Sequence, residues 1–335
     1  MDTLIPLSSP AMFGNERRYI NEALEDNWIS AGSFVQVFEQ RLMDYFGQPA
    51  IVCSSGTSAL FLALQVAGIG PGYEVIVPNL TFAAPACAVK MVGAHPILID
   101  VKPDGTMDPE FIENAITGKA RAIIPVHLYG MRADMDVIGE ISAQHNLIVI
   151  EDCCEAMHIR SVGRFGCYSF YANKYITTGE GGALVSNTDD MELAKIFRSG
   201  GFSRGQGSFE HRVAGLNHRM TDLQAAIGCA QMERVGHLID RRHEIAERYA
   251  EHLGGFGKWM FVHHPCAPET LLQRLEKQGI EARRVFMPLH RQRPFERGGK
   301  FPNSDDIYDY GLCLPTGPHL SDEQVDRVIK AVRGA

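Results

Sequence analysis

From residue 50 to about residue 200 the chain alternates short apolar runs with amphipathic stretches, and this alternation limits the fold more than any other feature. The runs Ala50–Cys53, Glu74–Val77, Pro96–Ile99, Ala122–Val126, Leu147–Ile150 and Gly182–Ser186 are strand-sized and rich in β-branched residues. Helical spacing falls between them at Thr57–Val66, Ala84–Met91, Pro109–Ala115 and Met135–His145. Asp108 followed by Pro109 gives the third helix a cap and a preset first turn. Strands that alternate with helices predict an α/β architecture, a mostly parallel sheet covered by helices on both faces. Such sheets bind ligands at the carboxyl ends of their strands.

With 335 residues the chain is long for one domain. Apolar residues at Leu223, Ile227, Ala230, Met232, Val235 and Leu238 predict one helix over Leu223–Leu253 that links two lobes. A strand at Trp259–Val262, a helix at Pro268–Gln278, a strand at Ile280–Val285 and a closing helix at Ser321–Val332 follow. The expected division is a large domain over 1–235, which includes the N-terminal segment, and a small α+β C-terminal domain over 236–335. Arg291–Asp306, rich in Arg, Pro and Gly, reads as an irregular surface loop.

The net charge of −8 contains no block of like charge, which argues against nucleic acid or an anionic membrane as a partner. A locally basic pocket for a phosphorylated ligand remains compatible with it. Met1–Pro6 lacks the charged-then-apolar order of a secretory signal, and no apolar run reaches the length of a membrane span. The eight cysteines are scattered, and Cys153 and Cys154 are adjacent rather than spaced as Cys-x-x-Cys. Neither a disulfide framework nor a metal site is expected, and the expected location is the cytoplasm.

The residues that carry chemistry cluster around Asp152 and Lys174. Asp152 ends an apolar run, Leu147-Ile148-Val149-Ile150-Glu151-Asp152, at the ligand edge of the sheet. Lys174 follows Phe170-Tyr171-Ala172-Asn173 and precedes the glycine-rich Thr178-Gly179-Glu180-Gly181-Gly182. A carboxylate and a lysine so placed suit pyridoxal phosphate: the lysine forms a Schiff base with the aldehyde, and the acid keeps the ring nitrogen protonated. Ser169 is a candidate hydroxyl for the phosphate. Cys53-Ser54-Ser55-Gly56-Thr57-Ser58 reads as strand, tight turn and helix start, either a phosphate cradle or an ordinary capped turn. Phe82 could stack on a flat ring or belong to the core. Glu155 could reach the cofactor's phenol oxygen or complete a capping box.

Taken together these segments resemble the DegT/StrS family of pyridoxal-phosphate-dependent sugar-nucleotide aminotransferases. The matching pieces include Asn27-Trp28-Ile29-Ser30, Ser55-Gly56-Thr57-Ser58-Ala59-Leu60, Asn79-Leu80-Thr81-Phe82, Glu151-Asp152, Asn173-Lys174 and Gly215-Leu216-Asn217-His218-Arg219-Met220. Within the family the look is nearest to the GDP-perosamine synthases, on Trp28-Ile29-Ser30, Lys174–Gly182 and Arg284–His290. The resemblance implies fold type I, the aspartate aminotransferase-like α/β architecture, with a mostly parallel mixed sheet between helices in the large domain and a small α+β C-terminal domain. It implies that Lys174 carries the cofactor, that Asp152 pairs with the ring nitrogen, that Phe82 stacks on the ring and that Glu155 lies near the ring oxygen. It implies that Gly56, Thr57, Ser58 and Ser169 hold the phosphate, and that Asn217 reaches the phosphate of a neighbouring subunit, making a homodimer with shared active sites. Trp28, Ser30, Arg219 and His290 are implied substrate-side groups.

The implied reaction moves an amino group from L-glutamate to a nucleotide-linked keto sugar, a 4-keto-6-deoxyhexose, in amino-sugar and polysaccharide biosynthesis. The alternatives are a 3-keto sugar or inosose as acceptor, or a cofactor-binding regulatory protein without turnover. The stretches between His158 and Cys167 and from Leu253 to Gln278 are shorter than the family pattern.

Overall fold

The computed structural model describes residues 4–202, 210–296 and 298–334. Its main sheet has seven strands: β1 (Ala50–Cys53), β2 (Glu74–Pro78), β3 (His95–Ile99), β4 (Ala120–Ile123), β5 (Ile148–Asp152), β6 (Phe165–Ser169) and β7 (Gly182–Val185). They lie in the order β1-β7-β6-β5-β4-β2-β3. Only β7 runs against its neighbours, pairing antiparallel with both β1 and β6. The fold is thus the α/β, mostly parallel sheet that the alternation predicts, and β7 makes it mixed, as the resemblance implies.

Alternating side chains send each strand into both faces of the core. In β1, Val52 joins the cluster under the helices Ser33–Phe46 and Asp222–Met232, while Ile51 and Cys53 join the cluster under Gly56–Val66. β6 does the same, with Tyr168 on the first side and Phe165 and Cys167 on the second. Strand β6 is absent from the sequence expectation. Its run Phe165-Gly166-Cys167-Tyr168-Ser169 contains a glycine and no β-branched residue.

A second, three-stranded antiparallel sheet has the order β8-β10-β9, with β8 (Phe261–His263), β9 (Arg283–Arg284) and β10 (Leu312–Leu314). The strand expected over Ile280–Val285 reduces to β9, because Ile280 bridges instead to Ile5 near the N-terminus. The helix expected over Leu223–Leu253 is two, Asp222–Met232 and Val235–Leu253. The break falls where Glu233 is drawn to Asn15, Tyr19 and Arg41, and Arg234 leaves helical geometry at φ −130°. The second helix puts Val235, Leu238 and Ile239 in the core of the large sheet and Ile245, Ala246 and Tyr249 in that of the small one.

The expected loop Arg291–Asp306 is also corrected, since a helix spans Pro302–Tyr310. Asp100, at the end of β3, accepts from the Asn303 and Ser304 amides and the Ser304 hydroxyl, doing the work of a cap from far away in sequence.

Candidate active site

Three elements deliver functional groups to one edge of the large sheet. Cys53 and Ser169 both register with Gly182 across β7, so the turn after β1 and the end of β6 lie side by side. β5 ends beside them, with Asp152 opposite Cys167. The packing is tight enough to require glycine at two points. A Cβ on Gly56 would lie 2.6 Å from Cys154 Sγ and 2.8 Å from Ser169 Cβ, and one on Gly182 would lie 2.4 Å from the Ser55 carbonyl carbon. Together these elements wall a cavity of about 340 Å³, within the range of small-molecule sites.

The first turn of Gly56–Val66 faces that cavity through Gly56 and Thr57. Ser55 is the N-cap, and its hydroxyl accepts the Ser58 amide at 3.1 Å. Amides of a first helical turn have no partner within the helix, so those of Gly56 and Thr57 make an anion site with the positive end of the helix behind them. Ser58 stands apart: its hydroxyl contacts those of Ser54 and Ser55, and it does not line the cavity.

Asp152 is buried, and its Oδ1 accepts the Cys154 amide at 2.9 Å. Burial raises its carboxyl above the usual range, while the Cys154 hydrogen bonds and the nearby Lys174 charge pull the other way. Beneath it, His127 accepts the Ala133 amide on Nδ1, so Nε2 carries the proton and donates to Glu151 at 2.8 Å. Glu151 also accepts from Val162 and Gly163. His127, Glu151 and Cys153 stand close enough to suggest a metal, but both imidazole nitrogens are already committed, and the group buttresses the Asp152 strand instead.

Lys174 closes a turn in which its amide donates to Tyr171 O. Its Nζ sits 3.2 Å from Glu155 Oε1 and 4.1 Å from the centroid of the Trp259 ring. Glu155 completes no capping box among the described residues; its other oxygen accepts the Tyr129 amide at 2.9 Å. Burial raises its carboxyl, and Lys174 is the main opposing influence. Phe82, Ser169 and Asn173 complete this part of the wall. Phe82 is largely exposed, and its ring approaches Phe286 at 5.7 Å.

The other expected residues lie off the cavity. Asn217 is exposed, and its Oδ1 accepts the Arg219 amide. Trp28 is 59% exposed and donates to Ala31 O, next to a turn in which Ile29 O accepts the Asp222 amide. Ser30 is exposed on the same turn. His290 is engaged by Asn79 at 2.9 Å and lies 3.4 Å from Asp305. Conversely, Trp259, Arg283 and Phe286 line the cavity and were not foreseen. The one available signal was that the chain has only two tryptophans, one of them in an apolar run that ends in the small sheet.

The donor set suits pyridoxal phosphate: an anion site at a helix start, a buried carboxylate, a lysine and an aromatic wall. Asn173 Oδ1, on the same wall, is buried without a partner among the described residues, a polar atom left for a ligand.

The comparisons with known proteins agree. The profile of the DegT/DnrJ/EryC1/StrS aminotransferase family matches residues 10–333. A GDP-perosamine synthase of Caulobacter vibrioides is 39% identical over 369 aligned positions, covering 98% of this chain and 97% of that protein. One from Escherichia coli O157:H7 is 37% identical with the same coverage. Among solved structures, the PLP form of the sugar aminotransferase Spr1654 from Streptococcus pneumoniae, itself described as putative, superposes with a TM-score of 0.93 at 27% identity, covering 99% of this chain and 98% of that one. An alignment of 369 positions against 335 residues means that the Caulobacter protein carries segments this chain lacks. A profile match along nearly the whole chain, together with the geometry of the cavity, leads to one conclusion: this chain belongs to the DegT/DnrJ/EryC1/StrS aminotransferase family, and it is a pyridoxal-phosphate-dependent transaminase.

Proposed function

We propose that the protein aminates the 4-keto carbon of a GDP-linked 4-keto-6-deoxyhexose, with L-glutamate as donor, as a cytoplasmic homodimer. The observation that carries the acceptor is the near-complete coverage shared with GDP-perosamine synthases of two organisms.

Pyridoxal phosphate, when bound, supplies an aldehyde for amines to condense with and a ring that takes up the electron pair left by a departing proton. The Gly56 and Thr57 amides and the Ser169 hydroxyl bind its phosphate. Asp152 holds the proton on the ring nitrogen, because its own buried charge is stable only with a cation beside it. Lys174 Nζ would hold the cofactor at rest and, once free, would take the proton from the substrate carbon. Glu155 holds Nζ in place through Oε1, and Phe82, on the cavity wall, would offer the cofactor ring an aromatic face. Trp28 and Ser30, and Asn217 with Arg219, lie outside the cavity on two segments that meet at the start of the Asp222–Met232 helix, where Ile29 O accepts the Asp222 amide. The exposed apolar side chains Trp28, Ile29 and Leu216 on these segments favour burial against a second copy. In that dimer they serve the partner's cavity.

The test is to incubate the purified protein with glutamate and a panel of keto-sugar nucleotides, then read products by mass and the amino position by NMR. The expected product is the 4-amino sugar on GDP. Amination restricted to a 3-keto sugar or a cyclic ketone would overturn the acceptor.

A further inference from the structure

Trp259 stands apart among the residues of the cavity. It is 1% exposed, yet its ring face lies against the Lys174 amine, 4.1 Å from centroid to Nζ. It is fixed on every polar atom. Its backbone amide donates to Tyr129 O at 2.9 Å, and its indole N–H donates to Asn173 O at 3.1 Å. Its carbonyl accepts from Arg242 at 3.1 Å. The same guanidinium donates to the carbonyls of Asn173 and Lys174 at 3.0 and 3.2 Å. Arg242 is itself 1% exposed, and its described partners are carbonyls and the Ser8 hydroxyl, with no carboxylate among them. One buried cation therefore ties the lysine turn and the tryptophan into a single frame.

We propose that Trp259 is a further catalytic residue, whose indole face receives the Lys174 ammonium whenever the lysine is released from the cofactor. The inference rests on Lys174 being the cofactor lysine. When an incoming amine takes its place, the bond from Nζ to the cofactor carbon breaks as the bond from the incoming nitrogen forms. The three N–H hydrogens of the incoming ammonium end on Nζ, which leaves as an ammonium, so atoms and charge balance. The new cation then sits in the cavity wall, its side chain 14% exposed. Glu155 offers it a charge on one side and the indole a negative π-face on the other. Without that face the released lysine is less stable, and it competes harder to return.

The experiment measures this competition in the holoenzyme. Methylamine displaces the lysine without using the substrate pocket. Borohydride then fixes whatever cofactor remains on Lys174, and the mass of the protein reports the fraction. Trp259→Leu is expected to need roughly 2- to 30-fold more methylamine for half-displacement, the range of one cation–π contact. Trp259→Phe, which keeps a weaker π-face, falls between Leu and the wild type. Equal shifts in Phe and Leu would reduce Trp259 to packing, and no shift in either would also overturn the proposal. A wild-type protein that fixes no cofactor on Lys174 would instead sink the reading on which the inference rests.

A second measurement needs no change at Trp259. In a Trp28→Phe chain, Trp259 is the sole tryptophan. Its emission in the cofactor-free chain is expected to shift in Lys174→Met, which takes the amine off the indole face. The same emission with and without Lys174 would overturn the proposal.

Discussion

At the scale of single residues, the site opposes the cost of burying charge to the gain from pairing it. Asp152 and Glu155 are both carboxyls pushed up by burial, and Lys174 is a common source of relief. A cationic ring nitrogen beside Asp152 completes that balance. Asp152→Asn keeps the shape and removes the charge. At saturating glutamate, kcat is expected to fall by about 100-fold or more, the scale of one broken buried ion pair of ~3 kcal/mol. A loss of less than about 3-fold in stopped-flow or steady-state rates would remove Asp152 from that role. Asp152 and Lys174 were legible in the sequence because each sits in a local signature, a strand end and a turn before glycines. Trp259 was not, because it meets the Asn173 carbonyl across 86 residues of chain and nothing in its own neighbourhood announces that. Ser58 was overread: the motif is right, but Ser55 occupies the cap and Ser58 turns into the serine cluster.

At the scale of elements, the strands and helices with their own periodicity and caps were legible to within a few residues. Those decided by distant partners were not. The helix Pro302–Tyr310 borrows Asp100, 203 residues away at the Asn303 amide, so the stretch looks like a loop on its own. The break at Glu233 depends on Asn15, Tyr19 and Arg41 from the N-terminal helices. The helix Val235–Leu253 carries Arg242, whose pKa burial lowers to about 10. An unpaired buried cation is costly, and replacing one with an apolar group can stabilise a protein. Here the opposite outcome is expected. Arg242→Met leaves the Trp259, Thr316, Asn173 and Lys174 carbonyls with a lost donor, at roughly 1–3 kcal/mol for each that finds no other. Chemical denaturation should show a loss of at least ~2 kcal/mol, and an unchanged midpoint would mean that water replaces the guanidinium.

At the scale of the whole molecule, histidine burial sets the acid limit. Burial pushes His158 down to about 3, with His243 and Lys258 adding repulsion. Burial also lowers His218, His243, His263, His264 and His319. The unfolded chain binds these protons near the ordinary histidine pKa and the folded chain does not. Between about 6.5 and each lowered value the unfolded state therefore holds more protons, and stability falls as pH falls. Urea midpoints are expected to drop steadily from about pH 6.5 to 4. In His158→Gln that slope is expected to ease by up to about one proton, and an identical slope would show that His158 titrates freely in the fold.

The central claim is that Lys174, in the cavity shared with Asp152 and the Gly56 helix start, carries the pyridoxal phosphate of this transaminase. Borohydride reduction of the purified holoenzyme, proteolysis and peptide mass mapping test it most directly. The account predicts the reduced cofactor on Lys174 alone, and loss of both that adduct and the visible absorbance in Lys174→Ala. An adduct on another lysine, or a visible band unchanged in Lys174→Ala, would contradict it.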